Sequence, residues 1–406
     1  MAKKLLQINV GVNRGSTGRI VENIGDVVIQ EGWESYIAYS RGTPNNKSKS
    51  QYLKVGNKFD VFFHVFITRF FDMHGLGSRF ATRRLIERIK KIAPSIIQIH
   101  IYHGYWLNYP LLFDYLSNCD TPIVWTLHDC TSFTGHCAHF TAVNCNKWKI
   151  QCEKCPLIHT YPKSFFIDRS KQNYVKKKHS FSNLKKVQIV PVSFWLEKIV
   201  KQSFLSKYPI KFIYNGINTN IFSPRESNIQ LLDKYHLPNK TILLACATAW
   251  SKNKGLYDYF ALSKILPDKY QIVLVGLTCK QQKEIPSNIV GINRTDSQEE
   301  LADLYSLATI VLNLSLEETF GLTTIEGMSC GTPSIVYNST ASPEIVTKNT
   351  GCVVEKGNII AVQAAIDKIC KKGKSYYSNF CRQRVLDNFD KTDRYNDYMV
   401  LYEKLV

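Results

Sequence analysis

The apolar residues of this chain alternate between two patterns. Short continuous apolar runs are typical of strands buried on both faces, and longer segments with apolar residues every three or four positions are typical of helices. In the first half the predicted strands are residues 4–10, 35–40, 95–100, 122–128 and 187–192. In the second half they are residues 241–247, 271–276, 289–292, 308–314, 334–337 and 352–355. Strands that alternate with helices predict an α/β fold with parallel, doubly wound sheets.

Residues 313–346 predict a compact strand, loop, helix and strand unit. The helix is expected to begin near Leu322 and to end at Gly331, a typical residue just beyond a helix, while Pro333 prevents it from resuming. The loop before it follows the strand at 308–314. Since open α/β sheets bind ligands at the carboxyl ends of their strands, this loop is a predicted binding site.

Two carboxylates flank the start of that helix. Glu318 comes just before its first turn, and Glu326 is on the next turn. Between them, the backbone N–H groups of Gly321, Leu322 and Thr323 are expected to form an anion site, because the first amides of a helix lack partners within it. Phosphate-binding amides between two acceptor carboxylates suit a nucleotide sugar, in which a diphosphate lies between hydroxyl-rich rings.

The same segment resembles the E-x7-E signature of the large retaining glycosyltransferase family 4. The two glutamates are Glu318 and Glu326, followed by Gly-Thr-Pro at 331–333 and Pro343-Glu344. The resemblance implies the GT-B fold, which has two Rossmann-like doubly wound domains facing a cleft. It also implies sugar transfer from a nucleotide diphosphate sugar to an acceptor hydroxyl, with retention of the anomeric configuration.

The resemblance assigns a role to each donor-binding residue. It implies that Glu326 binds the ribose diol, that Glu318 binds the hydroxyls of the transferred sugar, and that Lys254 meets the donor phosphates. The family has an arginine five residues before this lysine, where this chain has Ala249. Lys252 and Arg294 are the candidates to replace it.

The first half contributes a glycine turn and a histidine. A strand, a turn with Gly15 and Gly18, and a helix form an arrangement that can bind phosphate but often serves only as a tight connection. The resemblance implies that this turn faces the donor phosphate. Two predicted strands end in His100 and His128, and a strand-end histidine is often structural. By resemblance His128, rather than His100 or His103, contacts the donor sugar.

Domain boundaries follow from the resemblance and from local composition. We expect an acceptor-binding domain at 1–208 with a cysteine-rich insertion at 130–156, a nucleotide-sugar domain at 209–388, and a helix at 389–406 that crosses back to the first domain. The segment 215–224 resembles the interdomain signature of the family. The N-terminus is typical of a first strand rather than a secretion signal, so a cytoplasmic protein is expected.

The charge balance points to an anionic partner. The chain has 52 basic and 33 acidic residues, a formal net charge of +19. Residues 58–91 combine phenylalanines, six of them between Phe59 and Phe71, with arginines and lysines. This block fits either a helix lying in a membrane interface or a core helix followed by a solvated basic helix. The charge favours peripheral contact with the inner face of the cell membrane. The scattered lysines lack an RNA-stacking motif, so no nucleic-acid partner is expected.

Four cysteines suggest a metal site. Cys137, Cys145, Cys152 and Cys155 follow one another with a final C-x2-C pair, which can present two thiolates to a structural zinc ion. Cys130, His136 and His139 are alternative ligands, and free thiols are the other interpretation. Such an insertion resembles the one in a subgroup of the family, the colanic acid and capsular polysaccharide fucosyltransferases.

The sequence therefore predicts a hexosyl- or deoxyhexosyltransferase of surface polysaccharide synthesis. Its donor would be a UDP- or GDP-linked sugar. Its acceptor would be a glycan, which we expect to be lipid-linked. No cofactor would be required for catalysis. A sugar-nucleotide epimerase with the same fold is the first alternative. A zinc-containing nucleic-acid-binding protein is a distant one.

Overall fold

The computed structural model describes residues 2–13, 15–44, 48–226, 228 and 230–406. The chain divides into two compact units. Unit 1 contains residues Met1–Tyr214 and Tyr395–Val406, and unit 2 contains Asn215–Arg394. The chain therefore leaves unit 1 once and returns to it near the C-terminus.

Unit 1 is built on a six-stranded parallel sheet. Its strands are β1 (Lys4–Ile8), β2 (Glu34–Tyr39), β3 (Gln51–Lys54), β4 (Ile96–Ile99), β5 (Ile123–Leu127) and β6 (Val187–Pro191). They are arranged in the order β3-β2-β1-β4-β5-β6. This is the Rossmann order, in which the direction of winding reverses between β1 and β4. Ligands of such sheets bind outside the carboxyl ends of the strands at this switch point.

Helices cover the sheet of unit 1. They are α1 (Gly15–Gln30), α2 (Lys58–Phe71), α3 (Arg79–Ile92), α4 (Tyr109–Ser117), α5 (Ser170–Phe181) and α6 (Phe194–Val200). Part of the core joins α1 and the sheet to the C-terminal segment, where Tyr398 and Tyr402 are buried. The Tyr402 hydroxyl donates to Oε1 of Gln98 on β4. The end of the chain is thus an integral part of unit 1.

Unit 2 repeats the same topology. Its strands are β7 (Thr241–Cys246), β8 (Tyr270–Val275), β9 (Ile289–Ile292), β10 (Ile310–Asn313), β11 (Ser334–Tyr337) and β12 (Gly351–Val354). The order β12-β11-β10-β7-β8-β9 is again the Rossmann order, with all described pairs parallel. The switch point lies between β7 and β10. The prediction of two doubly wound Rossmann-like domains is confirmed.

The helices of unit 2 differ widely in length. They are α7 (Gln230–Lys234), α8 (Leu256–Ile265), α9 (Cys279–Gln282), α10 (Gln298–Leu307), α11 (Leu322–Ser329), α12 (Ser342–Ile345), α13 (Ile359–Lys372) and α14 (Lys374–Phe389). A last helix, α15 (Lys391–Glu403), starts in unit 2 and ends in unit 1. Close to the boundary, the N–H of Ile217 donates to Phe389 and the N–H of Lys391 donates to Ile217. The segment around Ile217 is therefore hydrogen-bonded to the segment that joins α14 to α15.

The block at 58–91 divides into two helices with opposite character. Helix α3 buries its apolar residues Leu85 and Ile89 and exposes its arginines, so it is an ordinary amphipathic helix. Helix α2 instead buries His64, Ile67 and Thr68 and exposes its phenylalanines. The solvated basic helix that the sequence predicts is therefore α3, whereas membrane contact by α2 stays a prediction.

Candidate functional site

Two loops meet at the switch point of unit 2. One follows β7 and contains Asn253 and Lys254, and the other follows β10 and contains residues 314–321. The N–H of Leu316 donates to the carbonyl of Asn253 over 2.8 Å, and the Asn253 side chain donates to the Glu317 carboxylate over 3.1 Å. Glu317 is only 4% exposed. The buried Glu317 carboxylate therefore links the loop after β10 to the loop after β7.

The neighbouring Glu318 turns toward the lysine at the same edge. Its carboxylate accepts from Nζ of Lys254 at 2.5 Å, and its backbone is held by the Thr340 hydroxyl. The Lys254 and Glu318 side chains are 35% and 16% exposed. Partly solvated pairs of this kind contribute only about 0–1 kcal/mol. A bound anion can therefore compete for the lysine at small cost.

Helix α11 begins directly beside this pair. Gly321 precedes it with a φ of 104°, a left-handed conformation that favours glycine. Because Leu322 is the first helical residue, its N–H and that of Thr323 have no acceptor within the helix. The N-terminus of α11 and the Lys254 ammonium thus bring positive potential to one place.

Glu326 lies one turn into α11 and is 5% exposed. The hydroxyl of Tyr305 on α10 donates to its carboxylate over 3.2 Å. Burial raises the pKa of Tyr305 well above its ordinary value, so this phenol stays a hydrogen-bond donor. The predicted set of Lys254, Glu318, Gly321, Leu322, Thr323 and Glu326 is accordingly gathered in unit 2.

In unit 1, a chain of hydrogen bonds orients the predicted His128, which follows β5. Nε2 of Gln7 donates to the Val21 carbonyl over 2.8 Å, so its Oε1 accepts from Nε2 of His100 at 3.2 Å. Nδ1 of His100 must then accept from Nε2 of His128, which is 3.0 Å away. Burial lowers the pKa of His128 to about 4. His128 is therefore neutral, with Nδ1 as the acceptor atom of its ring.

His103 and Asp129 form a pair next to His128. Nε2 of His103 is 3.0 Å from the Asp129 carboxylate, and Nδ1 of His103 is 3.3 Å from the hydroxyl of Tyr161. Burial would raise the pKa of Asp129, but contact with His103 outweighs this and holds it well below its usual range. Both members belong to loops at the carboxyl ends of β4 and β5. They form a polar group that could bind a hydroxyl.

The predicted glycine turn opens α1. Gly15 is its first residue, with a φ of 66°, and a side chain there would find no atom within 4 Å. Gly18 lies one turn further, close to the backbone of Asn13 and Val12. The turn follows β1 at the switch point of unit 1, as the sequence predicts, but no contact defines its role.

The cysteine-rich insertion consists of turns and two short 3-10 helices, Thr141–Val143 and Lys147–Lys149. Cys137, Cys145, Cys152 and Cys155 line one small cavity of about 10 Å³ together with His136. That volume suits one water molecule or ion. A hydrogen bond from Cys137 lowers the pKa of Cys155 to about 7, whereas the pKa of Cys137 is raised.

The fit of this group to zinc is incomplete. Nδ1 of His136 is 2.7 Å from the Asp72 carboxylate, while its buried Nε2 has no hydrogen-bond partner within the described chain. A histidine held by a carboxylate and surrounded by thiols is suitable donor chemistry for zinc. Among the described residues, however, no group of three or more histidine, cysteine or acidic side chains is arranged to hold a metal ion. The structure thus does not support the predicted tetrahedron.

Comparisons with known proteins show a similarity to glycosyltransferases. Residues 229–381, most of unit 2, match the model of the family described as glycosyl transferases group 1. Most of the second unit is thus similar to this glycosyltransferase family. The colanic acid biosynthesis glycosyl transferase named WcaC, from Escherichia coli K12, is 25% identical over 372 residues, covering 88% of each chain.

Solved glycosyltransferases share the fold of the whole chain. A glycosyltransferase from Rickettsia africae ESF-5 is 18% identical with a TM-score of 0.71, covering 100% of this chain and 98% of its own. Anabaena HepE, solved with UDP-glucose, is 13% identical with a TM-score of 0.69, covering 99% of this chain and 100% of its own. These likenesses confirm the GT-B class predicted from the sequence. Within the described residues, no helix has the length and apolar character needed to cross a membrane.

Sequence patterns did not reveal several residues of the candidate site. Tyr305, Asn253 and Thr340 hold the predicted glutamates, and Asp129 pairs with a histidine that had been set aside. Asp129 directly follows His128, and this adjacency was the one available signal. The partners of the glutamates come from other loops, so no local pattern could reveal them. Ala249, Lys252 and Arg294 are exposed, and the replacement of the missing arginine stays a prediction.

Proposed function

We propose that this chain transfers a sugar from a nucleotide diphosphate sugar to a hydroxyl of a lipid-linked glycan, with retention of configuration, during assembly of a surface polysaccharide. The observation that carries the proposal is the contact of Lys254 with Glu318 beside the N-terminus of α11. It combines a cation, an acceptor carboxylate and helix amides at the switch point of unit 2. The family of unit 2 and the name of the WcaC relative support the same reaction and pathway class.

Each group has a defined task in this proposal. The amides of Leu322 and Thr323, with Lys254, hold the diphosphate. Glu326 accepts hydrogen bonds from the ribose hydroxyls, and Glu318 accepts them from the transferred sugar once Lys254 turns to the phosphate. Tyr305 keeps the Glu326 carboxylate oriented by its hydrogen bond. The Gly15 and Gly18 turn is the proposed second contact with the diphosphate.

The chemical step moves one glycosyl group and one proton. The bond between the anomeric carbon and the phosphate oxygen breaks, and the acceptor oxygen bonds to the same face of that carbon. The acceptor proton passes to the leaving phosphate. Lys254 and the helix amides stabilise the charge that develops on this phosphate, and the protein otherwise contributes by positioning. His128, neutral and accepting through Nδ1, binds a hydroxyl of the transferred sugar.

Thermal-shift screening tests the donor. UDP- and GDP-linked sugars are compared with free UDP and GDP, because a ligand at ~100 times its dissociation constant stabilises a protein by roughly 2.7 kcal/mol. A shift with one nucleotide series identifies the base, and no shift with any member would contradict the proposal. The anomeric configuration of the product, read by NMR, then separates retention from inversion.

Product analysis separates the alternative enzyme class. A transferase yields a glycoside of the acceptor, whereas a sugar-nucleotide epimerase yields a free or nucleotide-linked epimer without an acceptor. The comparisons favour the transferase, because the matched family and the relatives are named as transferases. Release of an epimer in the absence of acceptor would favour the alternative.

We also propose that the insertion binds a structural zinc ion through cysteines of the set 137, 145, 152 and 155, with His136 as the alternative ligand. Zinc would crosslink the turns of the insertion. The chemistry of the thiols and of the unpartnered Nε2 of His136 supports this proposal. Metal analysis of purified protein tests it. We expect one equivalent of zinc in the wild type and none in Cys155→Ser. Wild-type protein that contains no zinc, and whose melting temperature does not change when zinc is added, would exclude the proposal.

A further inference from the structure

One side of unit 1 carries a continuous exposed aromatic surface. Five of the six exposed phenylalanines of α2 share one side of the helix: Phe59, Phe62, Phe63, Phe66 and Phe70. Phe59 and Phe62 are 84% and 73% exposed. Their spacing places them on one stripe of the helix, opposite its buried residues. Large aromatic side chains are costly to leave in water, so a stripe of this kind indicates a partner.

A second segment, distant in sequence, extends the stripe. Phe165 and Phe166 contact Phe70 with ring centroids 5.7 and 6.0 Å apart. The N–H of Phe165 donates to the carbonyl of Arg69 at the end of α2 over 2.7 Å, which fixes the segment against the helix. Phe166 is 78% exposed. We call these seven phenylalanines the aromatic face.

The surroundings of the aromatic face are basic. The guanidinium of Arg69 and the ammonium of Lys163 lie 5.9 and 5.0 Å from the Phe165 ring. Lys58 is exposed at the start of α2. Two carboxylates of the same segments accept local hydrogen bonds, Asp60 from the N–H of Asn57 and Asp168 from the N–H of Cys155. Aromatic side chains bordered by cations fit an acidic lipid surface.

The aromatic face is joined to the polar group at the strand ends. Tyr161, four residues before Phe165, reaches the His103 imidazole, and its ring packs against His74 and Tyr105. On the other side of α2, Nε2 of His64 accepts from the N–H of Gly75, so its Nδ1 donates to the Ser78 hydroxyl. A surface resting on this face would therefore lie close to the His103 and Asp129 pair.

We infer that the aromatic face is where this protein docks on a membrane containing acidic lipids, with the acceptor presented from that membrane to the His103 and Asp129 pair. The second part rests on the proposed function, whereas the docking itself does not. Helix α3 buries Leu85 and Ile89 in unit 1 and exposes Phe80, its one aromatic residue, so it adds little apolar area to the docking surface. Its arginines Arg83 and Arg84 add only long-range attraction.

Vesicle sedimentation tests the docking. Wild-type protein is mixed with phosphatidylcholine vesicles with and without phosphatidylglycerol, at low and high salt. We expect binding to the acidic vesicles that weakens with salt. Phe62→Ser/Phe166→Ser should weaken binding by about tenfold or more, since each removes apolar area from the interface. Both side chains are largely exposed, so the fold should persist, which the melting temperature checks.

The matched control changes exposed apolar residues elsewhere. Tyr257 and Ile360 of unit 2 are 63% and 67% exposed, and Tyr257→Ser/Ile360→Ser should bind vesicles as the wild type does. Equal binding by the aromatic variant and the wild type would overturn the inference. So would a wild-type dimer in sedimentation velocity that the aromatic variant dissociates, with no vesicle binding, because the face would then join two copies.

A pair of assays distinguishes this inference from the proposed function. The aromatic variant should lose transfer to an acceptor embedded in vesicles but keep transfer to a short, water-soluble acceptor. Its thermal shift with the nucleotide sugar should be unchanged. Vesicle binding without any transfer would contradict the proposed function and leave the docking intact. Loss of both transfer reactions in the aromatic variant would contradict the docking role.

Discussion

The two units have the same strand order but differ in the chemistry at their switch points. In unit 2 a lysine, two glutamates and the start of a helix meet where β7 and β10 end. In unit 1 the corresponding edge carries buried histidines, an aspartate and tyrosines, and it continues into an exposed aromatic surface. The shared topology therefore places both candidate sites at the same kind of sheet edge, and the loops give each edge a different chemistry.

The difference is clearest in how the loops are held. At unit 2, side chains of one loop bond directly to the other, as Asn253 does to Glu317. In unit 1, His128 is instead held by hydrogen bonds that run from Gln7 on β1 through His100. Each arrangement sets its polar groups in advance: a lysine with glutamates in unit 2, and a neutral His128 beside the Asp129 carboxylate in unit 1.

The largest expected effect is on unit 2. Glu326→Ala should lower transfer by about 100-fold or more, because a group that orients the donor is lost. The change removes the carboxylate that accepts from the Tyr305 hydroxyl, so Glu326→Gln, which keeps an acceptor, is measured beside it. Steady-state rates with the donor identified by thermal shift provide the readout.

Glu299→Ala is the control for this substitution, because Glu299 is exposed on the neighbouring helix α10. It should transfer at the wild-type rate. Full activity in folded Glu326→Ala would show that α11 does not bind the donor. The proposed difference between the two sheet edges would then lack its evidence in unit 2.

The second effect compares two glycines that follow the first strand of each unit. At Gly255 a side chain would come within 2.0 Å of the Leu314 carbonyl, whereas at Gly15 it would meet nothing within 4 Å. Both have a positive φ, which costs other residues about 1–2 kcal/mol. Gly255→Ala should therefore destabilise the protein by about 3 kcal/mol or more, and Gly15→Ala by about 1 kcal/mol. Chemical denaturation measures both, and equal losses would contradict the tighter packing of the unit 2 loops.

The third effect is on stability in acid. Burial lowers the pKa of His64 to about 3 and that of His128 to about 4, and it lowers those of His74 and His100 well below the ordinary value. In the unfolded chain these histidines bind protons below about pH 6.5. Their unfolded forms thus take up more protons than the folded ones, and stability falls as the pH drops from about 6.5 toward 4.

Only His236 of the ten histidines is in unit 2, so the other nine are in unit 1. Hydrogen exchange at pH 7 and pH 5 should show protection lost in unit 1 while unit 2 remains protected. If unit 2 loses protection first, the buried histidines of unit 1 do not cause the loss of stability in acid.

The smallest effect concerns the exposed ion pair. Lys254→Met should weaken binding of the donor by about tenfold, a loss of one charged phosphate contact, while stability changes by less than about 1 kcal/mol. Lys264→Met, on the exposed side of α8, is the matched control. Calorimetric titration measures both, and equal affinities in the two variants would exclude Lys254 from the phosphate site.

Much of this architecture follows from local patterns. Every predicted strand of unit 2 overlaps an observed one, because buried parallel strands are short apolar runs that periodicity detects. The start of α11 at Leu322 and the positive φ of Gly331 also agree with the prediction. The strand β3 was missed, because Gln51 and Lys54 are polar residues of an edge strand that has no core on one side.

The rest depends on contacts between distant segments. The aromatic face needed Phe165 and Phe166, which lie about a hundred residues from α2 and whose position no periodicity predicts. The pairing of Lys254 with Glu318 likewise arises from two loops that only the strand order brings together. Sequence patterns identify such groups one by one, and tertiary packing decides which of them meet.

Hydrogen exchange with and without a nucleotide sugar tests the central claim most directly, because it reads the amides themselves. The account predicts that the donor protects the N–H groups of Leu322 and Thr323 together with the loop around Lys254, and that Glu326→Ala removes this protection. Saturating UDP- and GDP-sugars that leave these amides unprotected, or that protect only other parts of the chain, would contradict it.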